Sequence, residues 1–366
     1  MNAAWEVRMR MYARNHVMFA VGLMIVSTLF FIAHFNSFLQ QAKPQGKPPG
    51  WRMREEVDAE EAPRSNPPST RPTALTIVVL TSDRPKSLER LLVSLTSATY
   101  SPGERIDLIV RQDMPSSGVL CAETSRLLHR LRWLHGTLEH VQETEPRGRL
   151  QMWQRSYTPL SSTDYFLILE DDIEVSRFYL RWILVALPHF RSDATIFGIS
   201  LVRPTERGID YLGLGDVSSS VPVTANAVKY KMPTLQALAP IPKHWKAFRR
   251  WMARTTEEDA QFDPTAVDEF EIQDLTVFQR FQALKKNGLQ HLQWDAYLAR
   301  YMIDSGLFML HPWPSGGGAL ARCWNEIGLV TPRRPPLVDL LDAWQPHLLR
   351  WRQRTVIRLD LTGRVM

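Results

Sequence analysis

Short apolar runs and amphipathic stretches alternate along the chain between residues 75 and 201. The apolar runs, such as Leu75 to Leu80 and Ile106 to Val110, are rich in β-branched residues, which is typical of buried strands. Between these two runs, leucines recur at i, i+3, i+4 and i+7 from Leu88 to Leu95, the spacing of one helix face. The pattern predicts an α/β fold in which a doubly wound, mostly parallel sheet carries helices on both faces.

The same patterns predict further elements. We expect helices over residues 121–134, 149–157 and 178–190, and strands over residues 138–141, 166–169 and 195–201. Ser82 or Asp83 is expected to cap the helix that starts near Pro85. Residues 208–274 are weakly patterned, and a helix within residues 290–306 and a strand over residues 307–312 follow them.

One predicted strand ends in three consecutive acids. The apolar run Phe166 to Leu169 is followed directly by Glu170, Asp171 and Asp172. Ligands of open α/β sheets bind beyond the carboxyl ends of the strands, where three carboxylates would repel one another. We therefore expect Mn²⁺ or Mg²⁺ here, carrying the phosphates of a nucleotide. The alternative is a solvated acidic turn, and Asp172 can also serve as the N-cap of a following helix.

Two other polar segments should lie at the same edge of the sheet. Right-handed crossovers place the carboxyl ends of parallel strands together. Asp83 and Arg84 follow the first predicted strand, and Asp113 follows the second. We expect these side chains to lie near the three acids.

The N-terminal 73 residues have a different pattern. Residues 17–35 contain no Asp, Glu, Lys or Arg, and a helix of this length just spans a ~30 Å hydrocarbon layer. Arg8, Arg10 and Arg14 precede this segment against one acid, Glu6, which predicts a cytoplasmic N-terminus. A membrane anchor is favoured over the alternative, a cleaved signal peptide. The proline-rich, charged residues that follow, up to residue 73, predict an extended stem.

Composition narrows the class of protein. The net charge of +6 over 366 residues is spread along several predicted helices, which gives no indication of nucleic-acid binding. The two cysteines, Cys121 and Cys323, allow one disulfide without requiring it, and their spacing is not that of a metal motif.

The order strand–SDRP–helix, strand–RQD and strand–LEDDIEV–helix resembles that of GT-A glycosyltransferases. It is most similar to N-acetylglucosaminyltransferase I and its distant plant, algal and protist relatives. The similarity covers roughly residues 75–204, with a weaker similarity over residues 290–312. It implies a GT-A fold preceded by one N-terminal transmembrane helix.

The resemblance also implies roles for single residues. Arg84 would line the nucleotide base, and Asp113 would accept the uracil N–H. Among the three acids, Glu170 would meet the sugar hydroxyls, Asp171 the ribose, and Asp172 the metal ion.

The general base implied by the resemblance is Asp295, which follows Trp294 at the start of a late predicted helix. We expect the helix N-terminus to lower the pKa of this acid. The chain departs from the family pattern at Ala296, where the family has a second Asp, and at residues 199–203, which replace a Trp-Asn-Asp. Other candidates are three rival bases, a second metal ligand and a sugar-stacking ring: Glu269, Glu271, Asp274, His311 and Trp313.

The resemblance implies a metal-dependent, inverting glycosyltransferase that moves a sugar, for example N-acetylglucosamine, from a UDP-sugar to a hydroxyl of a glycan or glycoconjugate. The alternatives are a retaining GT-A enzyme and a non-catalytic carbohydrate-binding or scaffold protein on a transferase fold. The implied layout is that of a single-pass type II Golgi membrane protein with a lumenal catalytic domain. Its segments are a cytoplasmic tail (1–16), an anchor (17–35), a stem (36–73), the catalytic domain (74–335) and a tail without an assigned role (336–366).

Overall fold

The structure, a computed structural model, describes the chain from residue 74 onward with gaps. The described residues are 74–204, 221–231, 237–257, 262–266, 276–289, 293–324, 326, 338–351, 355–361 and 363–366. All of them belong to one compact unit, residues 62–366. The predicted cytoplasmic tail, anchor and stem lie outside these residues. Within the described ranges, no helix is both long and apolar enough to cross a bilayer.

Nine of the described strands form one sheet, and two short strands form a second. The strands are β1 (Leu75–Thr81), β2 (Ile106–Gln112), β3 (Leu138–Gln142), β4 (Phe166–Glu170), β5 (Ile173–Val175), β6 (Ile196–Ser200), β7 (Ala227–Tyr230), β8 (Ala237–Pro240), β9 (Phe308–Pro312), β10 (Ala321–Cys323) and β11 (Val356–Leu359). The order in the large sheet is β11-β7-β9-β6-β8-β4-β1-β2-β3, and β10 pairs with β5.

The predicted mostly parallel α/β sheet is confirmed, with an antiparallel interruption. Strands β3, β2, β1 and β4 are parallel to one another. Strand β8 runs antiparallel between β4 and β6, and β9 runs antiparallel to β7. All seven residues of β1 are buried, because β1 lies between two strands and both faces of the sheet are covered at this position.

Seven described helices have seven or more residues, and five of them match predicted helices, whereas no pattern predicted the helices over residues 242–257 and 276–285. The seven helices are α1 (Pro85–Thr96), α2 (Ala122–Arg130), α3 (Gly148–Gln154), α4 (Tyr179–Phe190), α5 (Pro242–Glu257), α6 (Thr276–Lys285) and α7 (Trp294–Asp304). The bounds of the five predicted helices differ from the expected ones by up to four residues, because frayed ends carry no periodic signal.

The predicted cap of α1 is wrong. Arg84 occupies the N-cap position and makes no side-chain capping bond. The hydroxyl of Ser82 instead donates to the carbonyl of Asp113 at 3.3 Å, which ties the ends of β1 and β2 together. Pro85 at the first helical position has no N–H group, so one of the donors that a cap satisfies is missing.

A strand, not a helix, follows the three acids. Ile173 of β5 pairs antiparallel with Cys323 of β10, and the backbone N–H of Trp324 donates to the carbonyl of Asp172 at 2.9 Å. The expectation that Asp172 caps a helix is therefore wrong. A distant part of the chain returns to cover the backbone directly after the acids.

Candidate functional site

The polar ends of β1, β2 and β4 meet at one edge of the sheet, as predicted. Leu80 of β1 is in register with Glu170 of β4. Its carbonyl accepts the N–H of Asp171 at 3.1 Å, and the carbonyl of Thr81 accepts the N–H of Asp113 at 2.8 Å. Strand register alone thus places the acids of β4 beside the residues that follow β1 and β2.

Asp171 is buried and paired with Arg84. The guanidinium of Arg84 donates to Oδ1 of Asp171, and the hydroxyl of Thr81 donates to Oδ2 at 2.9 Å. Burial raises the pKa of Asp171 to about 7, although Arg84 acts in the opposite direction. Arg84 therefore lies at the predicted edge, with its guanidinium directed to an acid of the triplet.

Glu170 has protein partners on both carboxylate oxygens. Arg149 donates through Nε to Oε1 at 2.8 Å and through Nη2 to Oε2 at 3.0 Å, and Trp153 donates to Oε1 at 2.7 Å. Burial opposes ionisation, but Arg149 and Trp153 outweigh it and lower the pKa of Glu170. Glu170 thus fastens α3 to the end of β4, and its contact with sugar hydroxyls stays a prediction.

Asp172 is the least satisfied of the three acids. It is 8% exposed, and its Oδ2 lies 3.6 Å from Nη1 of Arg84. Its Oδ1 is buried without a hydrogen-bond partner. Burial raises the pKa of Asp172, and the charge of Glu170 adds to that rise. A buried carboxylate oxygen without a partner is costly, so this atom is suited to a ligand that supplies positive charge.

The donor set fits a cation held by one protein carboxylate. Among the residues that the structure describes, no group of three or more His, Cys, Asp or Glu side chains could hold a metal ion by itself. Mn²⁺ and Mg²⁺ often take one or two carboxylates and complete their shell with phosphate and water oxygens. Oδ1 of Asp172 can supply the single protein ligand of such an ion.

Arg149 is a site residue that the sequence reasoning missed. Arg149 pairs with Glu170, and Arg84 pairs with Asp171. These two cations offset most of the repulsion expected among the three carboxylates. The missed signal is the position of Arg149 at the start of a helix that follows the carboxyl end of a parallel strand, β3. Such a helix starts at the edge where the acids lie.

Asp113 binds the N-terminal turn of α3. Its carboxylate accepts the backbone N–H of Arg147 and of Gly148, each at 2.9 Å. Gly148 has φ +72, a left-handed conformation that favours glycine. The predicted contact of Asp113 with the uracil ring stays a prediction, while its observed role is to position the helix that carries Arg149.

Asp295 is brought to the acids by a pair of tryptophans. Trp294 stacks on Trp153, with 4.0 Å between ring centroids and 18° between planes, and Trp153 bonds to Glu170. Asp295 is 3% exposed, and its Oδ1 has no hydrogen-bond partner. Two helices far apart in sequence, α3 and α7, thereby set the acids of β4 and Asp295 in one region.

The expectation that the helix N-terminus lowers the pKa of Asp295 is wrong. Burial raises the pKa of Asp295 to about 6, and the opposing charges of Arg149 and Arg280 do not outweigh it. The first turn of a helix favours a carboxylate by only ~0.3–1 kcal/mol, which complete burial exceeds. A carboxylate with this pKa is a stronger base than an ordinary aspartate, yet it is mostly ionised at pH 7.

The remaining candidate site residues either contact other parts of the protein or lie outside the described residues. His311 lies fully buried on β9, with Nδ1 2.9 Å from the carbonyl oxygen of Val202. Trp313 is 4% exposed, and the guanidinium of Arg203 lies 3.9 Å from its ring centroid, so little of the ring is open to a sugar. Both cysteines are free, so they form no disulfide. The three rival bases, Glu269, Glu271 and Asp274, lie outside the described residues.

No family model and no curated protein matches the chain. Solved structures that resemble it include the mannosyltransferase PcManGT from Pyrobaculum calidifontis in complex with GDP-Man and Mn²⁺, at 18% identity, 60% coverage of this chain, 55% coverage of that chain and a TM-score of 0.32. S. aureus TarS 1–349 in complex with UDP matches at 12% identity, with 67% and 59% coverage and a TM-score of 0.34. The chain thus spans less than two thirds of either structure. TM-scores of this size do not establish a shared fold, and neither likeness decides the function of this chain.

Proposed function

We propose that this chain is a metal-dependent glycosyltransferase that moves a sugar from a UDP-sugar to a hydroxyl of a glycan or glycoconjugate, with inversion at the anomeric carbon. One observation carries the proposal. Two buried carboxylates with unpartnered oxygens, Asp172 and Asp295, are linked to the same edge of a parallel sheet through Glu170, Trp153 and Trp294. Asp172 is suited to binding a cation, and Asp295 is suited to accepting a proton.

The donor would bind at the carboxyl ends of β1, β2 and β4. Oδ1 of Asp172 would hold Mn²⁺ or Mg²⁺, whose charge stabilises the diphosphate that leaves in the reaction. Arg84 and Asp171 form an ion pair at the mouth of the site, where the resemblance assigns them to the base and the ribose. The ion pair of Arg149 with Glu170 keeps a second cation fixed near the same carboxylates.

The acceptor hydroxyl would be activated by Asp295. An inverting transfer needs a base on the acceptor side, and a pKa near the working pH makes the best compromise between ionisation and basicity. Burial of Asp295 provides such a value, because burial raises its pKa to about 6. Proton removal then accompanies departure of the diphosphate.

The function is tested by a donor screen with the purified full-length chain. We expect UDP release from at least one of a panel of UDP-sugars when Mn²⁺ is present, and loss of that release when EDTA is added. Asp172→Asn should abolish Mn²⁺-dependent UDP binding measured by calorimetry, with an unchanged circular dichroism spectrum. Absence of both UDP binding and release across the panel would favour the non-catalytic alternative.

The stereochemistry is a separate question. NMR of the product's anomeric centre distinguishes inversion from retention. Retention would remove the need for a base at Asp295 and would leave the proposed donor site unchanged.

We also propose that the chain is a single-pass type II protein of the Golgi membrane. The support is the sequence pattern: an apolar segment at residues 17–35, arginines before it and a proline-rich stem after it.

A further inference from the structure

The thiol of Cys323 lies beside Asp172 because β10 pairs with β5, the strand that begins directly after Asp172. The pairing sets Cys323 opposite Ile173, and Trp324 donates its backbone N–H to the carbonyl of Asp172 at 2.9 Å. Cys323 is 8% exposed, and its side chain hydrogen bonds to the carboxylate of Asp172. A sulfur donor from late in the chain therefore contacts the acid proposed to hold the metal ion.

Side chains on both sides hold β10 in this position. Nη2 of Arg322 lies 2.8 Å from Oε2 of Glu174, and the indole N–H of Trp324 donates to the same oxygen at 2.9 Å. The guanidinium of Arg90 lies 4.0 Å from the ring centroid of Trp324. These contacts hold the backbone on either side of Cys323 in place, and its side chain is buried where it bonds to Asp172.

Arg84 alone does not fix the orientation of the Asp172 carboxylate. Its Nη1 is 3.6 Å from Oδ2 of Asp172, beyond a hydrogen bond, and its strong bond goes to Asp171. The side chain of Arg84 is also 42% exposed. The thiol of Cys323 also bonds to this carboxylate and can restrict its rotation.

We propose that Cys323 is a positioning residue whose thiol orients the carboxylate of Asp172, so that Oδ1 stays available to a divalent cation. The inference rests on the proposed function, because it assigns Cys323 to the metal-binding step of that reaction. Residues that hydrogen bond to a metal-ligating carboxylate commonly change metal affinity by ~10–100-fold when they are replaced. A thiol is a weak donor, so we expect an effect near the lower end of that range.

The first experiment measures the Mn²⁺ dependence of UDP binding by calorimetry in the full chain. Cys323→Ala should weaken the apparent Mn²⁺ affinity about tenfold, and Cys323→Ser, which keeps a donor, should restore it to within about threefold of wild type. Cys121→Ala is the matched control, because it removes the other thiol, which lies at the start of α2 and hydrogen bonds to Thr124. Its Mn²⁺ affinity should equal that of wild type.

Two outcomes of this experiment would overturn the inference. Wild-type affinity in Cys323→Ala would show that the thiol does not act on the metal site. Equal loss in Cys323→Ala and Cys323→Ser would show that packing, not the hydrogen bond, is what Cys323 contributes.

The second experiment tests the contact between Cys323 and Asp172 without any nucleotide. Its result therefore does not depend on whether the chain is a glycosyltransferase. Melting temperatures are measured for Cys323→Ala, for Asp172→Ala, which removes the acceptor, and for the double variant. If the two side chains interact, the shift of the double variant differs from the sum of the single shifts by a few degrees. Additive shifts would remove the physical basis of the inference, whereas absent UDP binding with non-additive shifts would count against the function alone.

Discussion

At the scale of single residues, burial decides how the carboxylates of the site differ. Glu170 is saturated by Arg149 and Trp153, and its pKa is lowered, whereas burial raises the pKa of Asp171 to about 7 and that of Asp295 to about 6. Environments that push the pKa values of neighbouring acids apart allow one acid to remain a fixed charge while another exchanges protons. Asp295 is the acid suited to exchange.

Asp295→Asn tests that assignment. The amide keeps the size of the side chain and cannot accept the proton of the acceptor hydroxyl. A positioned base contributes ~10²–10⁴-fold, so kcat should fall within that range while calorimetric UDP affinity stays unchanged. Near-normal kcat would indicate either that Glu269, Glu271 or Asp274 is the base or that the reaction proceeds with retention.

The pH dependence of kcat/KM should show an acid limb near pH 6. Asp295 acts in its ionised form, so activity is full above the raised pKa of about 6 and is lost as the pH falls through it. Arg280 opposes the rise in the pKa of Asp295, so Arg280→Gln should move the limb to higher pH, by less than about one unit. Arg280→Lys keeps the charge and should leave the limb in place. A limb that does not move in Arg280→Gln would mean that another group titrates.

At the scale of elements, the contact between α3 and α7 joins the two halves of the site. Trp153 and Trp294 are both fully buried and stacked, but only Trp153 donates to Glu170, and Nε1 of Trp294 has no partner. Replacement of each tryptophan by Phe therefore separates the contribution of stacking to stability from that of the hydrogen bond to Glu170.

We expect Trp153→Phe to destabilise the fold more than Trp294→Phe. Both variants keep a stacked aromatic ring and leave a similar small void, while Trp153→Phe also deprives Glu170 of one of its three bonds. Removing a hydrogen bond to a charged group costs ~1.5–3 kcal/mol, which is the expected difference between the two free energies of unfolding. Urea unfolding measures both values, and equal losses would show that the bond to Glu170 contributes nothing.

Much of the element order is predictable from the sequence, because β1, α1, β2 and β4 carry strong local patterns. The contacts that complete the site are not local. The pairing of β5 with β10 joins three-residue strands with no periodic signal of their own. The position of Arg149 at the start of α3 indicates the edge of the sheet at which it lies, but not that its partner is Glu170. The antiparallel insertion of β8 follows from long-range packing alone. Residue types at strand ends were therefore predictable, and their partners were not.

At the scale of the whole molecule, the proposed type II topology rests on the sequence of the first 73 residues. Protease treatment of sealed microsomes containing the full chain should leave the region from residue 74 onward intact until detergent is added. Digestion of that region without detergent would contradict the type II topology. Removal of a short N-terminal fragment in sealed vesicles is the expected sign of a cytoplasmic tail.

The place of β4 in the sheet has a consequence for biosynthesis. Strand β4 and its acids leave the ribosome well before three later elements that complete the site. Strand β8 pairs with the open side of β4, α7 carries Asp295, and β10 pairs with β5. Until residues 237–240 are made, the apolar edge of residues 166–169 has no partner on one side and can pair with another chain. The nascent protein should therefore depend on chaperones, and it should bind ligands only after residues 321–323 have been made.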